Sequence, residues 1–138
     1  MKPNIAAKRH ECYAITEPGA GSDVDAIEAT ARRDGDCYVL NGEKWHVTSA
    51  NKADHFIFQA KILEGTHKGA HCLFFVDQDA AGITLVRNPA YSHTYSSHHP
   101  IYRFENVRVP VKNRIGEEGA GMGFTYDWFR YERLGIAA

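Results

Sequence analysis

Four short stretches of this sequence carry residue types that could do chemistry. The first is residues 17–23, Glu17-Pro18-Gly19-Ala20-Gly21-Ser22-Asp23. Two close glycines leave backbone N–H groups accessible and Ser22 adds a hydroxyl, so the loop could hold an anion or a ligand carbonyl. It could equally be a tight connection between strands. No Gly-Lys-Ser/Thr follows, which excludes a Walker loop. The second is Lys44-Trp45-His46-Val47-Thr48. Trp, His and Thr together could stack on and hydrogen-bond to a planar heterocycle, or simply form a strand with one face inside. The third is the trio His93, His98 and His99. Metal-binding histidines usually come with regular spacing and a carboxylate, and no Asp or Glu lies between Ala80 and Tyr102. A polar loop at a ligand mouth or a subunit contact is the expectation there. The fourth is Glu132, which helical spacing places beside an aromatic stripe. Burial disfavours the charged form of a carboxylate and suits it to proton abstraction from carbon; a solvated glutamate paired with Arg133 or Arg130 is the alternative.

The elements that must position these groups are short strands. Residues 12–16 make one, and residues 26–33 alternate Ile27, Ala29 and Ala31 with polar positions. Asp34-Gly35 is a hairpin signal, residues 37–40 return, and Asn41-Gly42 is a second hairpin signal leading into a third strand, residues 43–48. Residues 54–61, 71–76, 82–86 and 101–107 complete the set, and Pro110 closes it. Many short strands with frequent turns predict an antiparallel barrel or sandwich. Residues 89–100 form a long loop rich in Tyr, Ser and His. From Gly121 the pattern becomes helical, with Phe124, Trp128, Tyr131 and Gly135 on one side. The first ten residues are polar and are expected to fray.

The whole chain has 138 residues, 43% hydrophobic and 24% charged, which suits one soluble domain and excludes wholesale disorder. Lys+Arg 16 against Asp+Glu 17 argues against general affinity for nucleic acid. No apolar stretch approaches a membrane span. The three cysteines, Cys12, Cys37 and Cys72, show no C-x-x-C pair and are expected to be reduced thiols. The helical pattern runs to Ala138 without a cap, as in a fragment of a longer protein.

Residues 13–23, Tyr13-Ala14-Ile15-Thr16-Glu17-Pro18-Gly19-Ala20-Gly21-Ser22-Asp23, resemble the signature of the acyl-CoA dehydrogenase flavoproteins. The likeness continues through Asp34-Gly35 to Asn41-Gly42-Glu43-Lys44, Thr48, Ala81-Gly82-Ile83, residues 104–110 (FENVRVP) and residues 116–121 (GEEGAG). Six motifs in order cover essentially the whole chain. The resemblance implies a mainly β fold: an antiparallel β-barrel of the acyl-CoA dehydrogenase middle-domain type, followed by one C-terminal α-helix. Residues 1–11 would be an N-terminal extension, 12–116 the barrel, and 117–138 the link and first helix of a C-terminal helical domain.

Roles follow by position. The resemblance implies FAD as cofactor, touched by Tyr13, Ala14, Ile15, Thr16, Gly21, Ser22, His46, Val47 and Thr48. Thr16 would lie near the isoalloxazine ring and Thr48 near N5, while Ser22 would also contact the CoA part of the substrate. The family usually has Trp where this chain has His46. Neighbouring side chains on a strand face opposite ways, so Trp45 cannot take its place without a bulge. Phe129 and Arg133 match positions lining the substrate channel. Glu132, in Glu132-Arg133-Leu134, matches the place of the catalytic base in a subset of the family, whereas most members use a later glutamate. The implied reaction is α,β-dehydrogenation of an acyl-CoA thioester. The implied partners are the acyl-CoA substrate, an electron-transfer flavoprotein and further copies of the full-length chain. The implied location is the cytoplasm of a bacterium or the mitochondrial matrix of a eukaryote. An acyl-CoA oxidase, a nitroalkane oxidase, an alkylation-response flavoprotein or a non-catalytic barrel remnant are the alternatives. The 138 residues alone are expected to bind flavin weakly and to be inactive.

Overall fold

The structure, a computed structural model, describes residues 2–92 and 98–138. A short helix, α1 (Lys2–Ile5), precedes eight strands: β1 (Glu11–Ala14), β2 (Thr30–Asp34), β3 (Cys37–Lys44), β4 (His55–Ile62), β5 (His71–Asp77), β6 (Ile83–Arg87), β7 (Ile101–Pro110) and β8 (Arg114–Ile115). A long helix, α2 (Gly121–Ala137), ends the chain. The strands form one sheet in the order β6-β7-β3-β2-β4-β5-β8, with β1 also on β4. The sheet wraps towards a barrel without closing, because β6 and β8 are left as edges.

Most pairings are antiparallel, as the turn-rich sequence predicts, but not all. β4 carries β5 along one edge; its other edge is shared by β1, opposite His55 to Phe58, and β2, opposite Lys61 and Ile62. Both of these contacts are parallel. A parallel pair needs a long crossover, and β1 reaches β4 only after the β2–β3 hairpin has formed between them in sequence. Such a neighbour is invisible to turn signals.

The inner face packs aromatic on aromatic. Phe58 and Phe104 have ring centres 4.4 Å apart, and Phe56 lies 5.1 Å from Phe104. Tyr38, Leu40, Phe74 and Val107 belong to the same core, all fully buried. Offset and edge contacts of this kind add to the burial of large apolar area.

Several local expectations change. Asn41-Gly42 is not a hairpin: β3 runs through it to Lys44, with a register shift between Leu40 and Gly42 against β7. Gly42 is needed there because a Cβ would sit 2.6 Å from Ala29 Cβ, and Asn41 Oδ1 accepts from the Asn106 amide at 2.8 Å. The residue pair that makes a tight turn also suits a bulge. Residues 45–48 are therefore irregular, not a third strand. The strand expected over residues 26–33 begins only at Thr30, after a 3₁₀ turn at Val24–Ala26. Of the N-terminal residues expected to fray, the last two are tied down: Arg9 pairs with Asp77 at 2.6 Å and the His10 amide donates to Asp54 at 2.7 Å.

Helix α2 does not bury the aromatic stripe its sequence suggests. Its buried residues are Gly121 and Thr125, while Phe124, Trp128 and Tyr131 are 44, 49 and 80% exposed. The small residues set the docking distance. A Cβ on Gly121 would lie 2.6 Å from the His71 carbonyl oxygen, so the helix start sits directly on β5.

Candidate functional site

The C-terminal end of β1, the loop after it, residues 45–49 and helix α2 enclose a cavity of about 390 Å³. Ile15, Thr16 and Gly21 line one side, and His46, Thr48 and Ser49 another. Trp128, Phe129 and Glu132 face them from α2. Tyr13 and Ile57 add apolar surface between.

Eight of the residues singled out from sequence thus meet at one place: Tyr13, Ile15, Thr16, Gly21, His46, Thr48, Phe129 and Glu132. Four do not line it. Ala14 and Val47 are buried in the core beneath. Ser22 is exposed on the loop. Arg133 lies over the Phe129 ring at 5.1 Å, outside the lining.

Residues 45–48 hold their shape through bonds to distant segments. The Val47 amide donates to Pro100 O at 3.1 Å and the Ser49 amide to His98 O at 2.8 Å. His46 takes a left-handed backbone, φ 52°, a conformation uncommon for non-glycine residues. The alternation argument for Trp45 and His46 therefore does not apply. Trp45 turns back to donate to Glu43 at 2.7 Å, and the His46 ring meets the Tyr91 hydroxyl at 2.9 Å. Thr48 Oγ1 lies 3.1 Å from His99 Nδ1, and Ser49 Oγ lies 3.0 Å from His98 Nε2. His98 and His99 thus hydrogen-bond to two residues of the cavity lining; His93 lies outside the described residues. Among the described residues no three His, Cys, Asp or Glu side chains group as metal ligands do.

Helix α2 reaches the cavity through a polar chain that the sequence reading missed. The Tyr13 hydroxyl lies 3.2 Å from Thr125 Oγ1, which donates to Gln59 Oε1 at 2.9 Å. Gln59 Nε2 lies 2.9 Å from His71 Nδ1. Burial pushes the Tyr13 phenol up, and Thr125 partly offsets this. The indole of Trp128 lies 5.8 Å from the Tyr13 ring, and its Nε1 donates to Glu132 Oε2 at 2.9 Å. Glu132 is exposed, not buried as its helical position suggested. Trp128, not burial, holds its carboxylate towards the cavity.

The Gln59 amide donates to His71, so His71 Nδ1 must be unprotonated. Burial lowers the His71 pKa, Lys61 adds to this, and Asp25 opposes it. Burial likewise lowers that of His55. Both imidazoles take up protons more readily in the unfolded chain, whose ordinary value is 6.5. Their stabilising contribution is complete above that value and is lost as pH falls through the lower folded values. Thermal melting should show stability declining below about pH 6.5, with a shallower decline in His71→Gln. An equal decline in the variant would show that His71 is not a source of it.

The family sequence profile described as "Acyl-CoA dehydrogenase, middle domain" matches residues 12–107. The chain belongs to the acyl-CoA dehydrogenase family. Among curated relatives of this acyl-CoA dehydrogenase chain is the caffeyl-CoA reductase-Etf complex subunit CarC of Acetobacterium woodii. It is 33% identical over 138 residues, which is 100% of this chain and 36% of that protein. A solved structure described as a "probable acyl CoA dehydrogenase" from Mycobacterium abscessus superposes with TM-score 0.89 at 35% identity, covering 99% of this chain and 36% of that one. An acyl-CoA dehydrogenase from Bacillus anthracis complexed with FAD gives TM-score 0.75 at 36% identity, covering 83% of this chain and 19% of that one. The chain spans about a third or less of the proteins it matches. Among the described residues no helix is long and apolar enough to cross a membrane.

The lining of this acyl-CoA dehydrogenase cavity suits part of a flavin. Ile15, Ile57, Trp128 and Phe129 give apolar and aromatic walls, while Thr16, on one side, and Thr48 and His46, on another, add hydrogen-bonding groups. A planar ring system with polar edges matches that division. Nothing lies within 4 Å of where a Cβ on Gly21 would be, so a ligand can approach the backbone there. The volume is at the lower end of the ~300–1,000 Å³ of small-molecule sites, enough for a ring system but not for a whole dinucleotide.

Proposed function

We propose that this chain supplies one side of the FAD and substrate site of an enzyme that dehydrogenates an acyl-CoA thioester between its α and β carbons. The observation that carries the reading is the meeting of Thr16, Thr48 and Glu132 around one cavity, although residues 16, 48 and 132 are far apart in the chain. Tyr13, Ile15 and Gly21 join them there, and Ala14 and Val47 shape the walls from within the core. Ser22, beside the loop's open backbone, is offered to the CoA part of the substrate.

FAD, when bound, supplies the acceptor for the two electrons that leave the β carbon as hydride. The protein's own part is positional and electrostatic. Thr16 and Thr48 offer hydroxyl donors to the cavity, where charge developing on a bound group would be stabilised by donors already in place. Trp128, Phe129 and Ile57 present apolar surface on one side. Glu132 takes the α proton, held towards the cavity by Trp128 Nε1, and Arg133 on the Phe129 ring keeps a cationic group beside it. The electron-transfer partner is of the Etf type, because the CarC relative is named as part of an Etf complex. Assembly into a homo-oligomer belongs to the same reading.

Titration of the intact protein with FAD, followed by flavin fluorescence, tests this directly. Saturable binding together with bleaching of the flavin absorbance by an acyl-CoA is the expected result. Binding without bleaching by any acyl-CoA, from short to long, straight, branched or aromatic, would refute the assigned reaction. No binding would refute the site.

A further inference from the structure

Two walls of the cavity come from distant segments, one carrying Ile15 and Thr16 and the other His46 and Thr48. Thr16 and Thr48 can serve one ligand only if those walls keep a fixed spacing. No strand ladder among the described residues sets it. β1 ends at Ala14 and pairs with β4, whereas β3 ends at Lys44 and pairs with β2 and β7.

Bonds from two consecutive residues join the walls instead. The Trp45 amide donates to Thr16 O at 2.8 Å. The Lys44 ammonium donates to Ile15 O at 2.8 Å and to Glu17 Oε1 at 2.7 Å. Glu17 also accepts from the amides of Glu28, at 2.6 Å, and Ala29, at 3.0 Å. Lys44 is fully buried, its ammonium 5.0 Å from the centre of the Phe58 ring. A buried ion pair rarely stabilises a fold more than well-packed apolar residues would. Stability therefore does not account for this ammonium; its directed bond to the carbonyl preceding Thr16 does.

We propose that Lys44 is a positioning residue: it locks residues 15–17 against residues 45–48 and thereby sets the spacing of Thr16 and Thr48 across the flavin site. The inference rests on the FAD reading above and assigns no chemistry to Lys44 itself.

The test compares Lys44→Met with Val109→Ala, a truncation in the buried core opposite Tyr38 on β3, remote from the cavity. Both are studied in the intact protein, at a temperature where each is fully folded. Lys44→Met should bind FAD about tenfold more weakly or worse, the scale of a lost charge-assisted bond, while Val109→Ala stays within about twofold of the original. In the FAD-free protein the Trp45 amide should exchange with solvent about tenfold faster in Lys44→Met, relative to the amides of β4, and unchanged on that scale in Val109→Ala. Equal weakening by both variants, or undiminished FAD binding by Lys44→Met, would reduce Lys44 to a structural role. If the original protein binds no FAD, the functional reading falls by itself. The positioning role then stands on faster Trp45 exchange and is overturned if that rate does not change.

Discussion

In the intact protein, Glu132→Gln is expected to slow acyl-CoA dehydrogenation by about 10²–10⁴-fold, the range that a positioned general base contributes. FAD affinity should stay the same, because the hydroxyls come from Thr16 and Thr48 on other walls. Gln keeps the shape and still accepts from Trp128 Nε1, so a fall in rate reports the missing proton acceptor alone. The carboxylate has the two features a base requires: it reaches the cavity, and a donor at 2.9 Å fixes its direction. Trp128→Phe should give a smaller loss, since the carboxylate remains but is no longer oriented. The measurement is single-turnover bleaching of the bound flavin by substrate. A rate for Glu132→Gln within about tenfold of the original would place the base elsewhere in the intact protein.

Glu17→Ala should destabilise the fold by about 3–5 kcal/mol, the usual result of removing one partner from a buried ion pair. It leaves the Lys44 ammonium with the Ile15 carbonyl but no counter-ion, and it takes the acceptor from the amides of Glu28 and Ala29. For a domain of this size the melting temperature should drop by roughly 10–20 °C. Glu17→Gln should cost less, because its carbonyl still accepts from the Ala29 amide. The deficit also has a sign in pH. Burial already pushes Lys44 down to about 8 from its ordinary 10.5, against the pull of Glu17. Without Glu17 the folded value falls further, so the unfolded chain holds a proton that the folded chain lacks. Stability of the variant should therefore start to rise with pH below 8, narrowing its gap to the original protein until about pH 8, above which both rise together up to 10.5. Thermal melts of both proteins between pH 7 and 10 would show it. A gap that does not narrow below about pH 8 would mean that Lys44 keeps its proton in the folded variant as it does in the original.

The two predictions concern residues that the sequence revealed very differently. Glu132 stood out because helical spacing put a carboxylate near aromatic side chains, yet the reason inferred for its importance was burial, and it is exposed. Lys44 drew no attention beyond its place in a motif. A lysine in an alternating strand is usually solvated; nothing local says that the barrel interior receives it or that Glu17 waits there. Asn41-Gly42 misled for a related reason. The same conformational freedom permits a hairpin or a bulge, and the choice depends on Ala29, just before β2, pressing against Gly42.

What the sequence determined by itself is local and periodic: most strands, the Asp34-Gly35 hairpin between β2 and β3, helix α2, and the motifs that mark the acyl-CoA dehydrogenase family. Residues near one another in the chain set these through backbone sterics and hydrophobic alternation. The tertiary structure decided the parallel seating of β1 and β2 on β4, the ion pair in the core, and the docking of α2 through Gly121 and Thr125 instead of its aromatic stripe. Each of these joins segments far apart in sequence. Which partner a strand edge, an ammonium or a helix face meets is settled only when the sheet has wrapped and the competing contacts are known.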